Sequence, residues 1–212
     1  MNNSTYEIII MLILAYLLGS IPSGVWIGKL FFRIDIRRHG SGNIGTTNTY
    51  RVLGPIAGTI VMIMDISKGV VATLLPTFFG NHTITPLVFG LMAILGHTFS
   101  IFDKFKGGKA VAVSAGMLLA YQPVLFIIAI SMWLFLIFVS STVSFASIVA
   151  FILITIIIFF THDILLSILA SVLTIFIIYR HWENVIRMLH GTENNVSFGL
   201  YYWLHKSKNN LN

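Results

Sequence analysis

The chain has no cysteine, which excludes disulfides, thiolate metal sites and a cysteine nucleophile. It is also short of charge. Only 9% of its 212 residues are Asp, Glu, Lys or Arg, against about 25% in an ordinary soluble domain. So few charges cannot clothe a water-exposed surface, and 57% of the residues are hydrophobic. The expected fold is all-α: a polytopic membrane helix bundle forming a single domain over residues 1–212.

The first apolar run, Ile8 to Leu18, lacks the basic leader and small-residue cleavage site of a signal peptide. It continues through Ile21-Pro22-Ser23-Gly24 toward Lys29 and is expected to remain as the first span. Further apolar runs cover about 55–79, 84–102, 110–139 and 143–178. A crossing takes roughly 20 residues, so the last run, roughly 54 Å as one helix, must break, at Thr161-His162-Asp163. Gln122-Pro123 is the matching interruption in the run before it, since proline removes a helix donor. Splitting both runs gives seven spans, and splitting neither gives five.

Positive charge sets the parity. Arg33, Arg37, Arg38 and Arg51 follow the first span, Lys104, Lys106 and Lys109 the third, and Arg180, Arg187, Lys206 and Lys208 the last, whereas the connections at Asn81-His82, Gln122-Pro123 and 161–163 carry no Lys or Arg. The positive-inside rule then puts the N-terminus outside, the C-terminus in the cytoplasm, and three polar regions, 39–54, 96–113 and 179–193, on the cytoplasmic side. Seven spans is the expectation and five the fallback. The Ser140 to Ser144 connection is cytoplasmic only with seven.

Region 39–54 has four glycines and almost nothing aliphatic. A flexible polar loop is the simplest reading, but length between spans favours a functional one. Gly42 and Gly45 let backbone approach an anion, Ser41, Asn43, Thr46 and Thr47 supply neutral hydrogen bonds, and Arg51 offers a bidentate fork for phosphate. In the second region Gly107-Gly108 give a backbone able to turn its N–H groups around a phosphate, and Lys109 stands where the next span begins, near a helix N-terminus. The GxxxxGK[ST] spacing of a nucleotide-binding P-loop is absent. A snorkelling basic belt accounts for Lys104 and Lys106 but not for the paired glycines. In the third region a span runs into an interfacial helix, with His181, Val185 and Leu189 on one face and Asn184 and Arg187 close by. Asp65 and Lys68, three apart within a span, read as a mutually neutralising structural pair, with a substrate role as the alternative.

The segments SGNIGTTNTYRVLG, GHTFSIFDKFKGGKAVA and RHWENVIRMLHGTE resemble, in order and separation, the three cytoplasmic motifs of the bacterial PlsY family, the acyl-phosphate:glycerol-3-phosphate acyltransferases. LGSIPSGVWIGK and the 65–69 run share the likeness, which covers nearly the whole chain. It implies a multi-pass enzyme of the bacterial cell membrane, active on its cytoplasmic face, that moves a fatty acyl group from acyl phosphate to the sn-1 hydroxyl of glycerol 3-phosphate. The products are lysophosphatidate and phosphate. Carried onto matched positions, the resemblance implies catalytic roles for Ser41, Arg51, Lys109, His181 and Asn184. Substrate contacts fall to Gly42, Asn43, Gly45, Thr46, Thr47, Asn48, His97, Gly107, Gly108 and Ser144, while Glu193 is structural, as are Asp65 and Lys68.

Thr46, Ser100, Ala110 and Trp182 stand where the family usually has Ala, Pro, Gly and a basic residue. Near 142–147 an Arg and several serines are usual, whereas this chain has Ser141 and Ala146, leaving Ser144 as the matched serine. These departures bear on substrate preference more than on reaction type.

Two phosphate-bearing substrates fit two basic, glycine-bearing regions. The donor is already activated, so no cofactor, metal or covalent nucleophile is expected, and holding hydroxyl near carbonyl supplies much of the acceleration. The leaving phosphate is the favoured acceptor of the hydroxyl proton, with His181 positioning glycerol 3-phosphate; His181 as general base is the alternative. Glycerol 3-phosphate is assigned to Gly107–Lys109 and acyl phosphate to the 41–47 loop. Expected partners are the two substrates, membrane lipid and a soluble acyl-phosphate-forming enzyme, with no nucleic acid. A transporter or channel for an organic phosphate is the rival from another class.

Overall fold

The computed structural model describes residues 3–209, with side chains described from 4 to 205. The side chains of Lys206 and Lys208, counted in the third basic region, lie outside that set. Among the described residues all regular structure is helical. The helices divide into two compact units, Met1–Pro123 and Val124–Asn212.

The first unit holds α1 (Asn3–Ser20), α2 (Ser23–Phe32), α3 (Thr46–Leu53), α4 (Pro55–Phe78), α5 (Pro86–Thr98) and α6 (Val111–Tyr121). Pro22 interrupts the first apolar run, and α1 and α2 meet at a 48° bend. Glycine lets the long helices pack backbone to backbone. A methyl group at Gly96 of α5 would lie 2.1 Å from the Tyr16 carbonyl oxygen of α1, and one at Gly116 of α6 would lie 2.0 Å from the Ile66 carbonyl oxygen of α4. Small residues at helix crossings are how apolar helices associate without a hydrophobic drive between them.

The first polar region contains a helix as well as a loop. Thr49 donates from both its N–H and its hydroxyl to the Gly45 carbonyl, at 3.1 and 3.2 Å, which closes the first turn of α3. Val52 and Leu53 then pack against a small core of Val25, Ile36 and Ile44. Gly54, at φ 86, ends α3 and leads directly into Pro55 of α4, a backbone conformation that L side chains resist. The aliphatic residues Ile44, Val52 and Leu53 are the sign in this polar stretch that it has something to bury.

The second unit holds α7 from its second residue (Pro123–Ser140), α8 (Val143–Phe159), α9 (Ile164–Arg180), α10 (Trp182–Leu189) and α11 (Leu200–Asn209). Both expected breaks are present. Gln122 donates to the Leu118 carbonyl at 2.8 Å and ends α6. His162 takes a positive φ of 60, after which Asp163 Oδ1 accepts from the Leu166 N–H at 2.9 Å and caps α9. A 57° bend at His181 separates α9 from α10, as expected for a span running into a second helix. The connection between α7 and α8 serves as an anchor: Val196 N donates to Ser141 O at 2.8 Å, Tyr202 N to Ser141 Oγ at 3.0 Å, and Thr142 Oγ1 to Asn195 Oδ1 at 2.8 Å.

Three of the described helical stretches are long and apolar enough to cross a membrane, 55–78, 86–103 and 123–140, and five if each bent pair counts as one span. α6 and α8 are shorter.

Candidate functional site

Polar side chains in the first unit are tied up in local order more than composition indicates. Asn48 is buried; its Nδ2 donates to the carbonyls of Ile36, His39 and Asn43 at 3.0, 3.1 and 2.8 Å, and its Oδ1 accepts from Ser41 N at 2.9 Å. It therefore shapes the 36–43 turn. Asn43 Oδ1 likewise accepts from Gly45 N at 2.9 Å, and Gly42 takes φ 69. Ser41, Thr47 and Arg51 remain exposed, and the aliphatic stem of Arg51 runs against Gly40, next to Ser41.

The paired glycines work differently from a phosphate-wrapping turn. Neither is among the residues with positive φ; in this segment Lys104, Phe105 and Ala110 carry that conformation. Gly108 N instead donates to His97 O at 3.1 Å. A methyl at Gly107 would lie 2.1 Å from His97 O, and one at Gly108 would lie 2.1 Å from His97 Nε2. Glycine is required here so that the loop can lie against His97, which is buried near the C-terminal end of α5. Lys109 is half-buried beside it in sequence, just before α6.

Beneath these segments is a buried polar cluster. Asp65 Oδ1 accepts from Lys68 Nζ at 2.8 Å and from Ser23 Oγ at 2.9 Å, and lies 4.0 Å from His97 Nδ1. Asp65 Oδ2 accepts a longer bond from Thr46 Oγ1, 3.4 Å, and Lys68 Nζ also donates to Ile21 O at 3.0 Å. The Asp65–Lys68 pair thus reaches residues of both polar motifs. Sequence reasoning missed Ser23, whose only signal was its place after Pro22 at an apolar helix break. A second clamp joins the same regions at the surface: Arg37 pairs with both Asp35 and Asp103. The hydrogen bond from Arg37 holds the Asp35 carboxyl well below the usual range, and its partners push Arg37 up.

In the second unit Glu193 gathers the third motif. Its Oε1 accepts from Ser144 Oγ at 2.7 Å and Asn184 Nδ2 at 2.6 Å, and its Oε2 accepts from Arg187 Nε at 2.7 Å. Asn184 Nδ2 also donates to Ser144 Oγ at 2.8 Å. Burial pushes the Glu193 carboxyl up, but the bonds from Asn184, Ser144 and Arg187 outweigh it and hold the group below its ordinary value. His181 is buried at the α9–α10 bend with Nδ1 2.9 Å from Ile177 O. A carbonyl can only accept, so Nδ1 carries a proton, and whenever the ring is neutral Nε2 is its acceptor nitrogen.

His97 with Gly107 and Gly108, and Asn184 with Ser144 and Glu193, are thus brought together, each group within its own unit, while Ser41 and Arg51 share the exposed face of one short segment. The match to known proteins runs across all of these motifs. A family model described as glycerol-3-phosphate acyltransferase matches residues 9–191. The glycerol-3-phosphate acyltransferase of Levilactobacillus brevis is 60% identical over 206 residues, covering 95% of this chain and 100% of the relative. That of Lactiplantibacillus plantarum is 61% identical, covering 92% and 94%. Two crystal structures of PlsY (YgiH), an integral membrane glycerol 3-phosphate acyltransferase, have similar folds. Its glycerol 3-phosphate form has a TM-score of 0.82 at 37% identity over 89% of this chain and 94% of the other. The corresponding values for its lysophosphatidic acid form are 0.79, 36%, 88% and 94%. With the first two polar motifs and the third as far as Gly191 inside the family match, the chain belongs to the glycerol-3-phosphate acyltransferase family.

Proposed function

We propose that this chain transfers a fatty acyl group from acyl phosphate to the sn-1 hydroxyl of glycerol 3-phosphate. The oxygen of that hydroxyl forms the new ester bond to the acyl carbon, the bond from that carbon to the phosphate oxygen breaks, and the hydroxyl proton leaves with the phosphate. The products are lysophosphatidate and inorganic phosphate. The observation that carries the reading is that Ser41, Arg51, Lys109, His181 and Asn184 all fall inside the matched residues 9–191. The similar PlsY structures in glycerol 3-phosphate and lysophosphatidic acid forms support the acceptor and the product. The transporter reading has no comparable support.

The exposed Ser41, Thr47 and Arg51 and the half-buried Lys109 are the groups we assign to phosphate and to charge developing on the carbonyl oxygen, where preorganised donors act most strongly. Acyl phosphate is assigned to the 41–47 segment and glycerol 3-phosphate to Lys109. His181 Nε2, an acceptor by virtue of the Ile177 bond, orients a glycerol hydroxyl, and the leaving phosphate takes the proton. Asn184 and Ser144 present amide and hydroxyl from a fixed frame. No cofactor takes part. The chain sits in the bacterial plasma membrane with seven spans, N-terminus outside and polar motifs cytoplasmic, and draws its donor from a soluble acyl-phosphate-forming enzyme.

The test supplies purified protein with acyl phosphate, acyl-CoA or acyl carrier protein thioester separately and measures acylated glycerol 3-phosphate. Product from acyl phosphate alone is expected; none from acyl phosphate refutes the reading. Because the chain lacks cysteine, single substitutions His82→Cys, Gln122→Cys and His162→Cys report topology directly. All three are expected to react with an impermeant maleimide on intact cells, whereas Lys104→Cys reacts only after permeabilisation.

A further inference from the structure

We infer that Asp65, in the middle of α4, is a positioning residue for the acyl transfer proposed above, in addition to neutralising Lys68. Its two carboxylate oxygens have separate surroundings. Oδ1 accepts from Lys68 and Ser23 and approaches His97 Nδ1, while Oδ2 takes the Thr46 hydroxyl. Thr46 is the first residue of α3, the helix that carries Arg51. His97 is the residue on which Gly107 and Gly108 lie, through the bond from Gly108 N and through contacts too close for any Cβ. Asp65 is 2% exposed and Lys68 is 6% exposed. One buried carboxylate therefore accepts a bond from the first residue of the Arg51 helix on one side and comes within 4.0 Å of the imidazole supporting the Lys109 loop on the other.

A pair that only cancels charge has no need of this arrangement. Lys68 and Asp65 are neighbours on one helix, and Lys68 already has a second acceptor at Ile21 O. The contacts to Ser23, Thr46 and His97 come from three other helices and draw the α1–α2 break, the start of α3 and the end of α5 onto α4. An error of about 1 Å in placing reacting groups is enough to cost about 100-fold in rate, so a residue that sets the spacing of two phosphate-binding segments acts on the reaction without touching substrate.

The experiment compares Asp65→Asn, Lys68→Met and the double variant with the wild-type protein in detergent, measuring kcat/KM for each substrate with acyl phosphate as donor, and the thermal midpoint. Asp65→Asn is expected to lower kcat/KM by about 100-fold and to lose stability, since a lone buried charge is left on Lys68. The double variant removes both charges and is expected to regain stability but not activity. Recovery of activity together with stability in the double variant would show that charge cancellation is the whole role and overturn the proposal. Ser23→Ala keeps both charges, so it folds even if the others do not. It is expected to lower kcat/KM about fivefold, and wild-type kinetics in that variant would equally overturn the proposal. Absence of activity in the wild-type protein would refute the acyl-transfer reading instead, which separates the two failures.

Discussion

Replacing Glu193 by glutamine tests the frame of the third motif with little change of shape. The carboxylate receives three hydrogen bonds, from Ser144, Asn184 and Arg187, at 2.7, 2.6 and 2.7 Å. A glutamine amide has one acceptor and one donor end. Turned one way, its NH₂ faces Arg187 Nε; turned the other, it faces the NH₂ of Asn184. Either way one donor-to-donor contact replaces a charge-assisted bond, and Arg187 loses its counter-charge. Bonds to charged groups contribute about 1.5–3 kcal/mol, so the frame loses about 2 kcal/mol, equivalent to roughly 30-fold in kcat/KM if Asn184 must hold its rotamer in the transition state. The assay is product formation by the purified variant against wild type, with the thermal midpoint measured alongside.

The sign of the pH dependence follows from the lowered carboxyl: its stabilisation is complete above the ordinary Glu value of 4.5 and is lost as pH falls through the lower folded-state value. The deficit of Glu193→Gln is therefore constant between about pH 6 and 8 and shrinks only under acid. A variant within threefold of wild type, or a deficit that vanishes between pH 8 and 6, would refute this account.

Gly108→Ala is expected to abolish activity, because its Cβ would sit 2.1 Å from His97 Nε2, and a thermal scan should show lost stability as well. Gly54→Ala meets no neighbouring atom but must hold φ 86, so it should cost about 1 kcal/mol of stability through backbone strain alone. Lys109→Gln should raise the KM for glycerol 3-phosphate about tenfold or more, whereas Lys104→Gln and Lys106→Gln, both at exposed positions, should stay within about twofold. His181→Ala should lose activity mainly at subsaturating acceptor if the residue positions glycerol 3-phosphate, and at all concentrations if it is the base.

The apolar helices and their breaks were legible because each break has a local chemical cause: Pro123 lacks an N–H, and Asp163 caps α9 with its own carboxylate. α3 was less legible. Its Thr-rich sequence has weak helix propensity, and its helix depends on burial of Val52 and Leu53 against Val25, Ile36 and Ile44, which lie outside the helix itself. The Asp65–Lys68 pair was visible from its spacing, but the reach of Asp65 to Ser23, Thr46 and His97 depends on how four helices cross. The glycine pair suggests a phosphate cradle from its sequence alone, and its close packing on His97 leaves no sequence signature. In the third motif the spacing of His181 and Asn184 was informative, while the bond from Glu193 to Ser144 spans 49 residues and left no periodic signature.

A chain with so few polar residues has to satisfy its own buried backbone and charges before any remain for substrate, and its candidate residues divide along that line. Asn43, Asn48, Asp65 and Glu193 have acceptors committed within the protein, so their loss should register in stability and in the placing of other groups. Ser41, Thr47 and Arg51 are exposed on one short segment, and their loss should register in substrate affinity with the thermal midpoint unchanged. Thr47 directly precedes Asn48, and the Asn48 amide fixes the Ser41 backbone N–H and the carbonyls of His39 and Asn43. Asn48→Ala should therefore combine both signatures, a lower midpoint and a raised KM, although its side chain is spent entirely on the protein itself.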